Sequence, residues 1–263
     1  MFRESMISTL AGAVALTVGT FATSTAAQAD KITLHGAVQF DEKYAFTRLM
    51  RKFEQLTKFY YSGPHETEFI LHKNSELGLE KDYVAYMNQG LSVDYAIASP
   101  SHMSKFSKLA TVLDPPMLYR DPGHWSKVLA SDVLKPVVDD NYKRADILLL
   151  GYGGGGIRHL IVNKPVSNMA EIKNVPLRVM GAPIQTKLFN VFGMTPNVIA
   201  YSEVYDTIQT GVIDAAENEA AEKLITVVFT ERDKLIEAAI PVLKQYFKDV
   251  GATDLYDVIQ AIK

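Results

Sequence analysis

The order of the chain predicts an α/β protein built as two similar lobes, each a mostly parallel sheet flanked by helices. Three observations carry this. Short apolar strands alternate with amphipathic helices, the alternation runs twice, and both passes close on a helix, a Gln, a Gly, an Asp and a strand. Those closures are Gln89-Gly90 leading to Asp94 and Gln209-Thr210-Gly211 leading to Asp214.

The first pass begins with a strand at Ile32 to Val38. A helix follows over Glu42 to Lys58, with Phe46, Leu49, Met50, Phe53 and Leu56 at three- and four-residue spacing on one face. Ser62-Gly63-Pro64 breaks it, and Glu68 to Leu71 reads as a second strand. Leu79 to Asn88 forms a helix closed by Gly90, and Val93 to Ala98 a third strand. The run Ile147 to Tyr152 reads as a buried strand entering four glycines, Gly153 to Gly156, which suit a hinge or a close approach to a ligand. The second pass has a strand at Leu177 to Met180, a helix over Pro183 to Val191 and a strand at Asn197 to Ile199. A helix capped by Ser202 runs to Gln209 and ends at Gly211, and Val212 to Asp214 returns to strand. Leu224 to Phe229 reads as a late strand. Thr230 caps a helix that Pro241 should kink and Gly251 should end, and Thr253 starts a last helix.

The expected divisions are residues 1–29, a signal peptide; 30–151, the first lobe; 152–223, the second; and 224–263, a C-terminal strand and helices. Arg3, an uncharged apolar stretch from Ile7 to Phe21, and Ala27-Gln28-Ala29 have the layout of a cleaved secretory signal. That stretch is shorter than the roughly 20 residues a spanning helix needs. Cysteine is absent, which excludes disulfides, zinc–thiolate sites, thiol nucleophiles and a lipidated cysteine. A net charge of −3 favours neither nucleic acid nor an anionic membrane.

Most motifs that carry chemistry are missing. The four glycines lead into the strand-like Ile157 to Val162, not into Gly-Lys-Ser/Thr or a helix, so a nucleotide loop is not expected. Six histidines are scattered without metal-ligand spacing, and there is no nucleophile elbow. Glu217, Glu219 and Glu222 read as a solvated turn or helix start. Two cations stand out. Leu177 and Val179 share one strand face, which leaves Arg178 on the other, and Arg158 lies between Ile157 and Leu160. Two cations among apolar strand neighbours argue for a shared anion site.

Several motifs occur together in order: Ser75-Glu76-Leu77-Gly78, Leu113-Asp114-Pro115-Pro116-Met117, Gly156-Ile157-Arg158-His159, Pro176-Leu177-Arg178-Val179-Met180, Ser202-Glu203-Val204-Tyr205, Gly211-Val212-Ile213-Asp214 and Glu217-Asn218. Across Ile32 to about Ala221 the chain resembles the extracytoplasmic solute-binding subunits of tripartite ATP-independent periplasmic (TRAP) transporters, the DctP-like family. The resemblance implies a two-lobed periplasmic binding protein, not an enzyme and without cofactor. It would close on a small organic acid and deliver it to the transporter's membrane subunits. It further implies that Arg178 pairs bidentately with the ligand carboxylate, that Arg158 assists and that Asn218 lies beside it. For the first lobe it implies no ligand-contacting residue. The chain departs from the family after Asn218, where Glu222-Lys223 passes almost directly to Leu224 as though an internal block near Glu222 were missing. The alternatives are an exported enzyme using Glu217 or Glu203 as a base, and a non-binding remnant of the family.

Overall fold

β1 (Ile32–Ala37) is the centre of a three-stranded parallel sheet, flanked by β2 (Thr67–His72) and β3 (Tyr95–Ala96) in the order β2-β1-β3. The computed structural model describes residues 30–154, 156–219 and 226–263. Helices α1 (Ala45–Tyr60) and α2 (Glu80–Asn88) supply the crossovers that parallel pairing requires. Gly36 sits where Tyr95 crosses β1: a Cβ there would lie 2.3 Å from the Tyr95 ring. The ring itself packs on Phe53 and Phe69.

The second sheet has four strands in the order β4-β7-β5-β6. β5 (Pro176–Val179), β6 (Thr195–Val198) and β7 (Ala215–Glu219) are parallel, and β4 (Arg158–Val162) runs antiparallel to β7. Helices α5 (Met169–Ile172), α6 (Pro183–Val191) and α7 (Val204–Gln209) connect them. The expected α/β architecture of two mostly parallel sheets is what forms.

The largest core joins elements far apart in sequence. Leu177 and Val179 of β5 and Ile184 and Leu188 of α6 pack with Leu243 and Phe247 of α8 (Arg232–Asp249) and Ile259 of α9 (Leu255–Ala261). Val128 of α3 (Pro122–Leu129) and Val137 of α4 (Lys135–Ala145) belong to the same cluster. Hydrogen bonds tie the C-terminus down here: His124 Nε2 to the Ile259 carbonyl at 2.9 Å, and Gln260 Nε2 to the Leu118 carbonyl at 2.7 Å.

Several local expectations need correction. Ile147 to Tyr152 is not a strand; Leu148 and Leu150 are 58% and 70% exposed. An apolar run gives no information about whether a neighbouring backbone is free to pair, and among the described residues none pairs here. Residues 226–229 are likewise outside any strand, and residues 224 and 225 lie outside the described residues. The third strand shortens to Tyr95–Ala96, and the last strand of the second pass begins at Ala215, not Val212. On α1 the buried stripe is Thr47, Met50 and Glu54, while Leu49 and Leu56 are exposed. Glu54 accepts a 2.7 Å hydrogen bond from the Tyr95 hydroxyl, and this buried polar contact rotates the helix away from the purely apolar face.

Neither expected cap acts as one. Ala200 N–H is bound by the Glu203 carboxylate, and the Thr230 hydroxyl donates to the Ser167 carbonyl. The α8 helix continues through Pro241, and Gly251 follows it with φ +83°. The glycine run makes a close approach to protein: a Cβ on Gly153 would lie 2.6 Å from Leu49 Cδ2, and one on Gly154 would lie 3.1 Å from the Trp125 ring. Gly155 and the break near Glu222 lie outside the described residues.

Candidate binding site

The parallel strands of both sheets direct their carboxyl ends toward one cleft, the usual place for a ligand in open α/β sheets. From the first sheet's side come Gln39, Phe40, Tyr44, Phe46, Glu80, Ser99 and His102, most of them just beyond the ends of β1 and β3 or at the first turn of α2. From the second come Arg158, Arg178, Met180, Tyr201, Asn218 and Glu219. The cleft between them is partly open to solvent.

All three predicted site residues line this cleft, by different routes. Arg178 on β5 is in register with Ala216 on β7, so alternation sets Arg178 and Asn218 on one face of the sheet. Arg158 faces Glu219 across the antiparallel pair, and Glu217 and Glu219 share the opposite face. Because all of them stand at the sheet's end, both faces reach the same cleft.

The two arginines are held differently. Arg158 Nε bonds the Glu217 carboxylate, its Nη1 reaches Glu219 Oε1 at 3.2 Å and its Nη2 donates to the Glu217 carbonyl at 2.9 Å. Burial opposes its charge, but the bond to Glu217 and the fields of Glu217, Glu219 and Asp114 outweigh this and raise its pKa. Arg178 is only 4% exposed. Among the described residues its guanidinium makes a single hydrogen bond, Nε to the Ile199 carbonyl at 3.0 Å, and no ion pair. Burial is the main cause holding its pKa below the ordinary value; Arg158 adds to the effect and Glu217 opposes it. Arg178 lines the cleft, and among the described residues its two Nη nitrogens have no acceptor. Asn218 Oδ1 accepts from the Glu219 backbone N–H at 3.0 Å, which leaves the amide nitrogen as an available donor.

Glu217 and Glu219 form part of a strand, not the solvated turn that their polarity suggests, and Glu217 is buried. The pairing with Arg158 is the reason: a strand end can hold carboxylates out of water when a cation meets them. Glu222 lies outside the described residues.

Sequence reasoning missed a set of acidic and neutral groups beside these cations. Glu80 is 3% exposed, and its carboxylate accepts from Ser99 N–H at 3.0 Å and from Gln39 Nε2 at 3.4 Å. His102 Nε2 lies 3.3 Å from it; burial and the field of Arg178 lower the His102 pKa to about 4, so this contact is not an ion pair. Asp114 accepts from Ser101 Oγ at 3.3 Å while its other carboxylate oxygen is buried without a partner. Burial, reinforced by Glu217 and opposed by Arg158, pushes it up to about 7. Nothing in the local sequence marks Glu80; only the fold brings the start of α2 against the loop after β3. Of the aromatic residues near predicted strands, Tyr201 lines the cleft, where it meets Phe40 edge-on. Among the described residues no cluster of three or more His, Asp or Glu is placed to hold a metal ion. No helix among them is long and apolar enough to cross a membrane.

Two mostly parallel sheets meeting at a cleft that holds a buried cation define a two-lobed binding-protein fold. The comparisons place it. The family described as bacterial extracellular solute-binding protein, family 7, matches residues 41–248, and the chain belongs to it. A solute-binding protein of Sulfitobacter sp. strain NAS-14.1 is 49% identical over 195 residues, which is 74% of this chain and 58% of that one. The C4-dicarboxylate-binding periplasmic protein of Rhodobacter capsulatus is 27% identical over 171 residues, 64% of this chain and 49% of that one. The chain thus spans about half to three-fifths of the length of these relatives. Among solved structures, a TRAP periplasmic solute-binding protein from Sulfitobacter sp. NAS-14.1 with bound α-D-taluronate superposes with TM-score 0.83 and 35% identity, covering 87% of this chain and 97% of that one. A protein from Polaromonas sp. JS666 bound to D-erythronate shares the fold, with TM-score 0.77 at 15% identity over 88% of this chain and 99% of that one.

Proposed function

We propose that this protein captures a small organic acid between its two lobes and passes it to the membrane subunits of a TRAP transporter. It would do so in the periplasm, exported by a signal peptide over residues 1–29 and without catalysing a reaction. The observation that carries this is Arg178: a buried guanidinium that lines the cleft and has, among the described residues, one carbonyl as its partner. A buried cation in that state is costly until an anion arrives.

Arginine presents two parallel donors at carboxylate spacing, so the ligand carboxylate pairs with it bidentately. The β5 ladder already orients the side chain, and little freedom is lost on binding. Asn218 donates its amide N–H beside the carboxylate. Arg158, already occupied by Glu217 and Glu219, contributes its field more than its hydrogen bonds. The proposed lobes are the two sheets with their helices, broadly residues 30–151 and 152–223. Helices α8 and α9, with α3 and α4, pack into the core of the second. A ligand touching both walls favours the closed arrangement by its differential affinity, and closing removes water that would weaken the ion pair.

Relatives support an acid as the ligand: one is named for C4-dicarboxylates, and the similar solved structures hold taluronate and erythronate. The test is titration calorimetry with a panel of carboxylic acids. An acid should bind to the wild type, and Arg178→Ala should weaken it by roughly 2–5 kcal/mol, the usual cost of breaking a buried charge pair. Arg178→Lys should fail comparably, since one ammonium cannot replace the fork. Equal affinity in Arg178→Ala would end the proposal, and no binding by any acid would favour a remnant.

A further inference from the structure

We propose that Gln185 and Ser101 are positioning residues for acid capture: a buried hydrogen bond between them fixes the wall that carries Arg178 against the wall that carries Ser99 and His102. This rests on the function proposed above and gives a role in it to two residues that do not themselves line the cleft.

Gln185 stands where an apolar side chain would serve packing better. It shares the buried face of α6 with Ile184, Leu188 and Phe189, and it is 1% exposed. A buried amide is costly unless both of its ends find partners. Both do. Its Oε1 accepts from the Met180 backbone N–H at 3.1 Å, and its Nε2 donates to Ser101 Oγ at 3.4 Å. Ser101, equally buried, donates its hydroxyl to Asp114 Oδ2 at 3.3 Å. The chain of bonds therefore runs one way, from Met180 N–H through Gln185 and Ser101 to Asp114.

The two residues are anchored behind opposite walls. Met180 lines the cleft two positions after Arg178, just past the end of β5, and its N–H is given to Gln185 instead of to a strand. Ser101 lies in the 3-10 turn Pro100–Lys105, between Ser99 and His102, which line the other side. Nearer the solvent the walls meet differently: Tyr201, 46% exposed, touches Phe40 edge-on. An aromatic edge contact tolerates a range of centroid separations, whereas a hydrogen bond demands a distance and an angle. The buried bond thus sets the separation of the walls at depth and leaves the mouth free to move.

For binding, the consequence is preorganisation. The competent protein is the one in which Arg178 and the far wall meet the acid together, and apparent affinity falls with the fraction of molecules in that state. Without Gln185 the turn after β5 loses its tie, and the walls sample other separations. The loss falls on affinity more than on stability, because a supporting side chain acts through the site it holds in place.

The experiment is calorimetry on the full chain as exported, with D-galacturonate or, where that acid does not bind, the tightest acid of the panel above. Gln185→Met keeps the length of the side chain and removes both bonds; Ser101→Ala removes the hydroxyl. Gln185→Met should weaken binding about tenfold or more, the result of a competent fraction of about one tenth. Ser101→Ala should weaken it about threefold or more, and the double variant should be within about twofold of Gln185→Met, since both cut one chain. Thr111→Val is the control. It removes a buried hydroxyl 2.6 Å from that of Tyr246, outside the cleft, and should lower the melting temperature while leaving affinity within about twofold. If Gln185→Met does not fold, Ser101→Ala against Thr111→Val decides. Affinity unchanged in the Gln185 and Ser101 variants, or falling in all variants in step with melting temperature, overturns this inference and leaves the proposed function standing. Failure of every acid to bind the wild type overturns both.

Discussion

The two arginines at the end of the second sheet are the same residue type, are partly or fully buried and line the same cleft, yet their surroundings differ. Arg158, at the start of β4, is held by two carboxylates and a carbonyl of β7. Arg178, near the end of β5, has one backbone carbonyl among the described residues. The first is an ion pair that completes the fold; the second is a charge that the fold leaves open. The difference teaches that a buried cation in a cleft is informative mainly through its unfilled partners. A satisfied arginine holds strands together, and an unsatisfied one awaits an anion at some expense to the empty protein.

Breaking the satisfied pair should have the largest effect. Glu217→Ala leaves Arg158 with the weaker arm to Glu219 and should cost about 3–5 kcal/mol of stability, the range for stranding a buried charge. Denaturant unfolding measures it, and a loss under 1 kcal/mol would erase the contrast. Next comes the carboxyl beneath the pair. Asp114 has its folded pKa raised from 3.8 to about 7, so the folded protein binds the proton more tightly than the unfolded chain. Its favourable contribution is complete below the unfolded value and is lost as pH rises toward about 7. Glu80 is shifted in the same direction, and His102, lowered to about 4, works in the opposite sense between its two values. The difference between wild type and Asp114→Asn removes both. The variant should gain on the wild type by a few kcal/mol between pH 4 and 8, and a flat difference would show that Asp114 is not buried in this way.

Two smaller effects sharpen the contrast from the other side. Arg178→Met removes a desolvated cation and fills its place with an apolar chain. The ligand-free protein should therefore gain about 1 kcal/mol of stability, the sense seen when buried charges are replaced by hydrophobic groups. Loss of stability in thermal melts would mean that Arg178 is as structural as Arg158. The smallest change is expected for Glu219→Gln. Its bond to Arg158 is 3.2 Å, and Gln keeps an acceptor oxygen at the same place, so the cost should be about 0.5–1 kcal/mol.

Much of the fold was legible in local pattern. Leu177 and Val179 on one face of β5, with Arg178 on the other, follow from the two-residue period of a strand, and all three are buried as expected. Gly211 and Gly251 stand in left-handed conformations after α7 and α8, as helix-ending glycines do. Where local pattern misled, a distant partner was the reason. Ile147 to Tyr152 looks like a strand because it is apolar, but a strand exists only if another backbone offers a ladder. Glu217 and Glu219 look solvated because they are acidic, and Arg158, some sixty positions away, draws them in. Glu80 carried no local mark at all. Its place in the cleft depends on Ser99 and His102 reaching it from the loop beyond β3.

By itself the sequence determined the alternation of strand and helix, the family, and which arginines would stand on strands. Periodicity, turn chemistry and motif order are written within a few neighbouring positions. Only the tertiary structure decided which of those arginines is neutralised from within and which is left for a ligand, and what faces it across the cleft. That outcome depends on whether two carboxylates on β7 lie opposite the first residue of β4 and none lies opposite Arg178. Such long-range proximity arises from sheet order and lobe packing, which no local stretch of residues encodes.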